Sequence, residues 1–551
     1  RFIVCELTPP WRGRGTSVKI EQMASNVKCA SAVLLASLAS AQAPGPSPDP
    51  PVIRMNVDLV QVDAVVTDKS GRHVPDLTLA DFEIRQDGKL RPITHFSYVA
   101  GPRPAPSAAP APTLPGAPPL LPARPTRPQD VNRTVALVVD DLALSFENTD
   151  LVRTALSDFV EHRMQPGDLV AIIRTSAGSG ALQRFTTDKR ILRAAIRQVK
   201  FKFQNRVGLT SFDPIRDERS PKEMMRGGGL QRQGDELAGS ALSSEALDKT
   251  IDVPTLAKQQ TQTFERDYFT AGTLGALHYT LQGLRELSGR KSAILFSENL
   301  TIFQRESQVT SMLDRLQALT DLANRSGVVI YTVDPRGVPF LGFQAADDIH
   351  DDPRNDTPEK LLRTRDVRRN NFFDSQVGLG FLAEQTGGLF LSSVNDVPGL
   401  LRKAVDDQAG YYLIGYRPEQ GTFGDDWNKR KYRRIEVRVL RPGLRVRSRR
   451  GFLSLPDSAL NPSVQTRGQR VAAAMASPFA ADGIAVRATC LFDVAAKTGP
   501  AVLSMIHIQA DKLRFLESAD GWHTAAVDII TSTFGEDGRI DDTRTGTFRI
   551  R

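Results

Sequence analysis

The residues best placed to do chemistry are Asp140 and Asp141, which follow the unbroken apolar run Val135–Val139, with Ser145 a few positions later. A short apolar run of this kind predicts a strand buried on both faces, as in a parallel sheet. Carboxylates at its C-terminal end fall where open α/β sheets place their ligand crevice. The stretch therefore reads as the lip of a binding site. An acidic pair at a strand end is also found in the pocket of phosphoryl-transfer α/β proteins. Those need a further Asp nucleophile or a Lys at other strand ends, and here the other strands end in Thr175, Glu298 and Asp334.

Other signals point away from chemistry. The seven histidines are dispersed and none has HExxH spacing. Asp347, Asp348, Asp351 and Asp352 lack the Gly-containing pattern of a calcium loop, so a solvated loop is expected. Gly227-Gly-Gly229 is not followed by Gly-Lys-Ser/Thr, which excludes a phosphate loop. The Arg-rich run Lys429–Arg450 is expected to form the wet face of a hairpin. No Ser-His-Asp or Cys-His set can be assembled from spacing.

The elements around the acidic pair alternate strand and helix from Val131 onward. Asp168–Thr175, Ser292–Phe296, Val328–Val333 and Leu389–Leu391 read as further strands, and Ala181–Phe185 as a short edge strand. Helices are expected over Thr149–His162, after a cap at Asp188, through Leu274–Leu284, over Val309–Ala323, within Phe381–Gln385 and over Val397–Val405. The fold class is thus α/β, a doubly wound Rossmann-like sheet. Small antiparallel β-sandwich modules flank it. On one side Val57–Val66 alternates, with turns at Asp68–Gly71 and Gln86–Gly88. On the other, Tyr411–Tyr416 and Arg433–Val439 alternate, and Arg441-Pro442-Gly443 turns the chain into Leu444–Arg447.

The expected organisation begins with an upstream segment and export leader at 1–41, starting at Met23 with the apolar stretch Ala30–Leu38 and the cleavage site Ala39-Ser40-Ala41. An N-terminal β module (52–99) and a linker (100–130) follow, with eleven prolines in 101–130. The α/β domain spans 131–408 with insertions at 200–263 and 334–374. A β extension (409–455) and a β-rich C-terminal module (469–551, read as truncated) complete the chain of 551 residues. The leader's apolar core is too short to span a bilayer, so no transmembrane segment is expected in the mature chain. Removing 1–41 leaves Cys490 alone of three cysteines, which excludes a disulfide framework or zinc knuckle. The net charge falls from +8 to +5 once five Lys/Arg and two Asp/Glu are removed, too modest to indicate nucleic acid.

Several ordered stretches resemble the von Willebrand factor A domain in its bacterial, acidobacterial type: VALVVDDLALSFE (135–147), GDLVAIIRT (167–175), TAGTLGALHYTLQGL (270–284), GRKSAILFSEN (289–299) and SGVVIYTVDPRG (326–337). The flanks 57–89, 411–418 and 441–452 match as well, so the resemblance covers most of 57–455. It implies a metal-ion-dependent adhesion site built from Asp-x-Ser-x-Ser, a later Thr and a later Asp. By position Asp141 and Ser145 match the first motif, Thr273 the Thr, and Glu298 the late Asp. Ala143 stands where the first Ser belongs, which makes the site degenerate, while Asp140 offers an extra carboxylate. The implied cofactor is Mg²⁺ (or Mn²⁺/Ca²⁺), with oxygen ligands and an open position for a partner's acidic side chain. The competing reading of the same residues is an acidic strand end whose oxygens cap the next helix.

The leading expectation is an exported, non-enzymatic binding protein that engages a protein ligand through this face. The alternatives are an envelope assembly scaffold with a vestigial metal site and a Mg-dependent phosphoryl-transfer enzyme.

Overall fold

The computed structural model describes residues 2–7, 59–101, 130–176, 183–201, 272–285, 287, 291–302, 306–343, 358–419, 421–423, 431–454, 483–484, 486–493, 501–517, 521–534 and 540–550. The expected leader, the Pro-rich linker, nearly all of the 200–263 insertion and Asp347–Asp352 lie outside these residues. In chain order the strands are β1 (Phe2–Leu7), β2 (Val60–Thr67), β3 (Phe82–Gln86), β4 (Lys89–Arg91), β5 (Ile93–Ala100), β6 (Arg133–Val139) and β7 (Asp168–Arg174). Then come β8 (Lys291–Phe296), β9 (Val328–Val333), β10 (Phe390–Leu391), β11 (Gly410–Tyr416), β12 (Tyr432–Val439), β13 (Arg445–Ser448) and β14 (Gly451–Leu453). The helices used below are α1 (Phe146–Asp158), α2 (Lys189–Arg197), α3 (272–285), α4 (Glu306–Arg325), α5 (Pro358–Thr386) and α6 (Val397–Asp406).

Five parallel strands form one sheet in the order β10-β9-β8-β6-β7. Its strands are apolar at consecutive positions because both faces are covered. In β6, Val135, Leu137 and Val139 enter one core with α1, α2 and α6, while Ala136 and Val138 enter the other with α3, α4 and α5. The chain starts at β6, adds β7 on one side, and returns across it to add β8 on the other. That reversal creates a topological switch point between β6 and β8, at whose C-terminal ends open α/β sheets place their ligands. Of the expected edge strand Ala181–Phe185, the described residues 183–185 are not in a strand, and Thr186 just beyond makes one antiparallel bridge to Val170.

Residues 358–374, expected within an insertion, belong instead to the 29-residue helix α5. Its buried positions include Arg368, Phe372, Ser375, Gly378, Leu379, Leu382, Ala383 and Thr386. This is a helical stripe, but three of its members are polar and hide the apolar period on which the sequence reading depends.

The two flanking β modules are one sandwich. Its first sheet runs β13-β2-β11-β5 and its second β14-β12-β3-β4, so each interleaves strands from before and after the α/β domain. Val60, Val62, Ala64 and Val66 of β2 share their core with Tyr412, Ile414 and Tyr416 of β11 and with Ile435 and Val437 of β12. Neither half can bury this apolar surface alone, which is why they associate. The turn into β4 carries Asp87 and Gly88 with φ of 50° and 81°, the left-handed pair that a tight hairpin needs. β12 and β13 do not form the expected hairpin, because β12 pairs with β3 and β13 with β2. The Arg-rich stretch is not simply a wet face either. Arg447 pairs with Asp407 and Arg450 with Glu384, both on the α/β domain.

The sandwich docks where the parallel strands begin. Arg325 at the end of α4 donates to Leu453 O at 2.6 Å, and Tyr432 Oη donates to Gln385 Oε1 at 2.7 Å near the end of α5. The opposite edge of the sheet, at the C-terminal strand ends, is left to the α/β domain's own loops. Beyond Gly483, Val486–Asp493 and Ala501–Ile508 pair antiparallel, and β1 lies on the other side of Ala501–Ile508. Leu516–Glu517, His523–Phe534 and Ile540–Ile550 make a further three-stranded sheet, in keeping with the expected β-rich module. No helix among the described residues is long and apolar enough to cross a membrane.

Candidate functional site at the switch point

Each of three buried strands hands over to polar residues at the same edge: β6 to Asp140–Asp141, β7 to Thr175–Ser176 and β8 to Ser297–Glu298. Backbone bonds hold these ends level. Asp140 N donates to Phe296 O, Thr175 N to Val139 O and Ser297 N to Val333 O.

Asp140 is the hub. Its Oδ1 accepts from Thr175 Oγ1 at 2.9 Å. Its Oδ2 accepts from Thr273 Oγ1 at 2.9 Å and from Ser297 Oγ at 2.7 Å. Three hydroxyls from three separate segments thus converge on one fully buried carboxylate. Burial pushes this carboxyl up to about 6, and the neighbouring Asp141 acts in the same direction, against the Ser297, Thr175 and Thr273 hydroxyls.

Asp141, the residue matched to the first motif position, turns toward β7. It accepts from Ser176 N at 2.9 Å, from Ser176 Oγ at 2.5 Å and from Thr175 Oγ1 at 3.2 Å. Asp141 and the hub share the Thr175 hydroxyl. Ser145 caps α1, its Oγ accepting from Asn148 N at 3.2 Å. Glu298 reaches the same helix end, accepting from Ser145 N at 2.5 Å and from Asn148 Nδ2 at 3.0 Å. An anionic side chain there is favoured by the unpaired N–H groups and the helix dipole.

The five expected residues therefore share one rim: Asp140 bonds Thr273, Asp141 bonds Ser176 and shares Thr175 with Asp140, and Ser145 N donates to Glu298 at the start of α1. Asp140, expected as the extra carboxylate, holds the central place. Thr175, Ser176, Ser297 and Asn148 complete the set; the first three share the signal of a hydroxyl directly after a buried strand, while Asn148 lies in the first turn of α1. All five expected residues are at most 9% exposed, so the rim is closed over in this conformation.

As a donor set, one carboxylate ringed by hydroxyl oxygens suits a hard cation such as Mg²⁺. Among the described residues, no three His, Cys, Asp or Glu side chains gather into a metal-binding group, so hydroxyls would have to supply most protein ligands.

Fold and cluster together define a doubly wound α/β unit with an oxygen-donor cluster at its switch point, carried by a composite β-sandwich. The chain matches no protein-family model, no curated protein and no solved structure.

Proposed function

We propose that the chain is an exported, non-enzymatic binding protein whose α/β unit is of the von Willebrand factor A type. The observation that carries this reading is the convergence of Thr175, Thr273 and Ser297 on Asp140 at the switch point. A divalent cation here would be held by Asp140 with the Thr273 and Ser297 hydroxyl oxygens, and it would supply an electron-poor position for a partner's carboxylate. The chain's own residues orient the loops. The hydroxyls fix Asp140, and Glu298 fixes the start of α1. Both acids of the pair are almost wholly buried, which speaks against an aspartyl nucleophile.

Thermal unfolding with and without millimolar Mg²⁺ tests the metal. The wild-type midpoint should rise, by ~2.7 kcal/mol of stabilisation at 100 times Kd, and the Asp140→Ala midpoint should not move. A wild-type midpoint indifferent to Mg²⁺ removes the cation from this reading. The closure of the rim favours a second reading, an envelope scaffold whose switch-point cluster serves the fold. Capture of the same partner from an envelope fraction by wild type and Asp140→Ala, with EDTA making no difference, would select it.

A further inference from the structure

Helix α5 is gripped from outside at the level of the switch point. Leu300, three residues beyond Ser297, donates its N–H to Ser375 O at 2.8 Å and accepts from Gly378 N at 2.9 Å. A loop residue has thus taken two main-chain bonds on the helix. The approach requires glycine, because a Cβ at Gly378 would lie 2.2 Å from Leu300 O and 2.7 Å from its Cγ. Upstream, the loop is tied to the hub. Ser297 Oγ donates to Asp140, Asn299 N donates to Ser297 Oγ at 3.2 Å, and Thr301 Oγ1 donates to Asn299 Oδ1 at 2.7 Å. The strand end of β9 grips the same turns, with Arg336 Nη2 on Ser375 Oγ at 2.9 Å and Gln376 Nε2 on Asp334 Oδ2 at 2.7 Å.

Two turns further on, the same helix meets the sandwich. Glu384 pairs with Arg450, Gln385 O accepts from Arg450 N at 3.3 Å, and Gln385 Oε1 accepts from Tyr432. A cleft of about 410 Å³ opens there, with Gly380 and Glu384 on one wall and Ile435, Val437 and Val446 on the other.

We propose that α5 is a conformational link between the switch-point cluster and the sandwich seam, with the Leu300–Gly378 contact as its joint. Displacement of Ser297 or Glu298 shifts Leu300, and while its two main-chain bonds to α5 hold, α5 moves with it. The helix then carries the change to Glu384 and Gln385, which form one side of the cleft. The contacts from Asp140 to Gln385 are contiguous, and a coupling carried along them works in both directions. It does not depend on what the switch point binds.

Amide hydrogen exchange on the full chain tests the link. In the wild type, the Leu300 and Gly378 amides should exchange at rates within about threefold of each other, since they open together. A difference of a hundredfold overturns the joint, and this measurement needs no variant. In Gly378→Ala, exchange should rise at 297–302 and also at 384–388 and 450–454, while β2 keeps its protection. A rise confined to 297–302, or no rise, overturns the link to the seam.

Discussion

Glu298, at the end of β8, accepts the main-chain N–H of Ser145, so a side chain from one strand end closes the first turn of the helix after another. The bond ties the two sides of the switch point across 153 residues of sequence. Replacing Glu298 with Ala leaves that N–H and the Asn148 amide without this acceptor. The expected loss is about 1–3 kcal/mol in urea unfolding. Glu298→Gln keeps an acceptor oxygen and loses the charge, so it should cost less than half as much. Equal losses would mean that charge at the helix terminus, rather than the hydrogen bond, dominates.

Asp140 makes stability depend on pH with a definite sign. Its carboxyl titrates at about 6 in the fold and near ~3.9 when unfolded. Folding favours the protonated form, so this contribution is fully present below about pH 4 and is lost as pH rises through 6. Relative to the wild type, Asp140→Asn should therefore gain stability between pH 4 and 7, on the order of 3 kcal/mol. A wild-type minus Asn difference that is flat across this range would show that Asp140 does not titrate as described.

Ser297→Ala removes one of the three hydroxyls that favour the charged carboxylate. The Asp140 carboxyl should then titrate above 6, as read by its side-chain ¹³C shift. A titration point that falls, or stays, would exclude Ser297 as a donor to it.

At the seam, buried Asp407 accepts from Arg447 and from Tyr331 Oη, the latter at 2.7 Å. Arg447→Ala leaves the buried Asp407 carboxylate with the Tyr331 hydroxyl but without its counter-charge, and should cost about 1–3 kcal/mol. Adding Asp407→Ala should recover part of that loss, because the stranded charge goes with it. Additive losses in the double variant would mean that the two residues act independently.

Deleting 59–101 removes both neighbours of β11, since β2 and β5 flank it. Tyr412, Ile414 and Tyr416 then lose their cover, and the region 410–453 should become open to protease and to amide exchange. Retained protection there would contradict the composite sandwich.

The parallel sheet was legible because strands buried on both faces leave continuous apolar runs such as Val135–Val139. The cap at Asp188 was legible because its signal is local. The sandwich was not, since the pairing of Ile414 with Val62 joins residues some 350 positions apart and no local pattern encodes it. α5 was obscured by Arg368, Ser375 and Thr386 on its buried stripe. At the rim, Thr273 bonds Asp140 rather than Asp141, the residue matched to the first motif position. Spacing alone does not say which of two adjacent carboxylates turns toward Thr273 and which toward Ser176.

Ala100 and Gly410 face each other across the β5–β11 ladder, and Gly101 N donates to Ala409 O at 2.7 Å. The α/β domain thus leaves and re-enters the sandwich through adjacent strand ends, as a plug-in held by one gate. Excising 101–409 and joining the ends with a two-residue turn would leave an ordinary hairpin, which makes the sandwich a ready-made holder for a foreign domain.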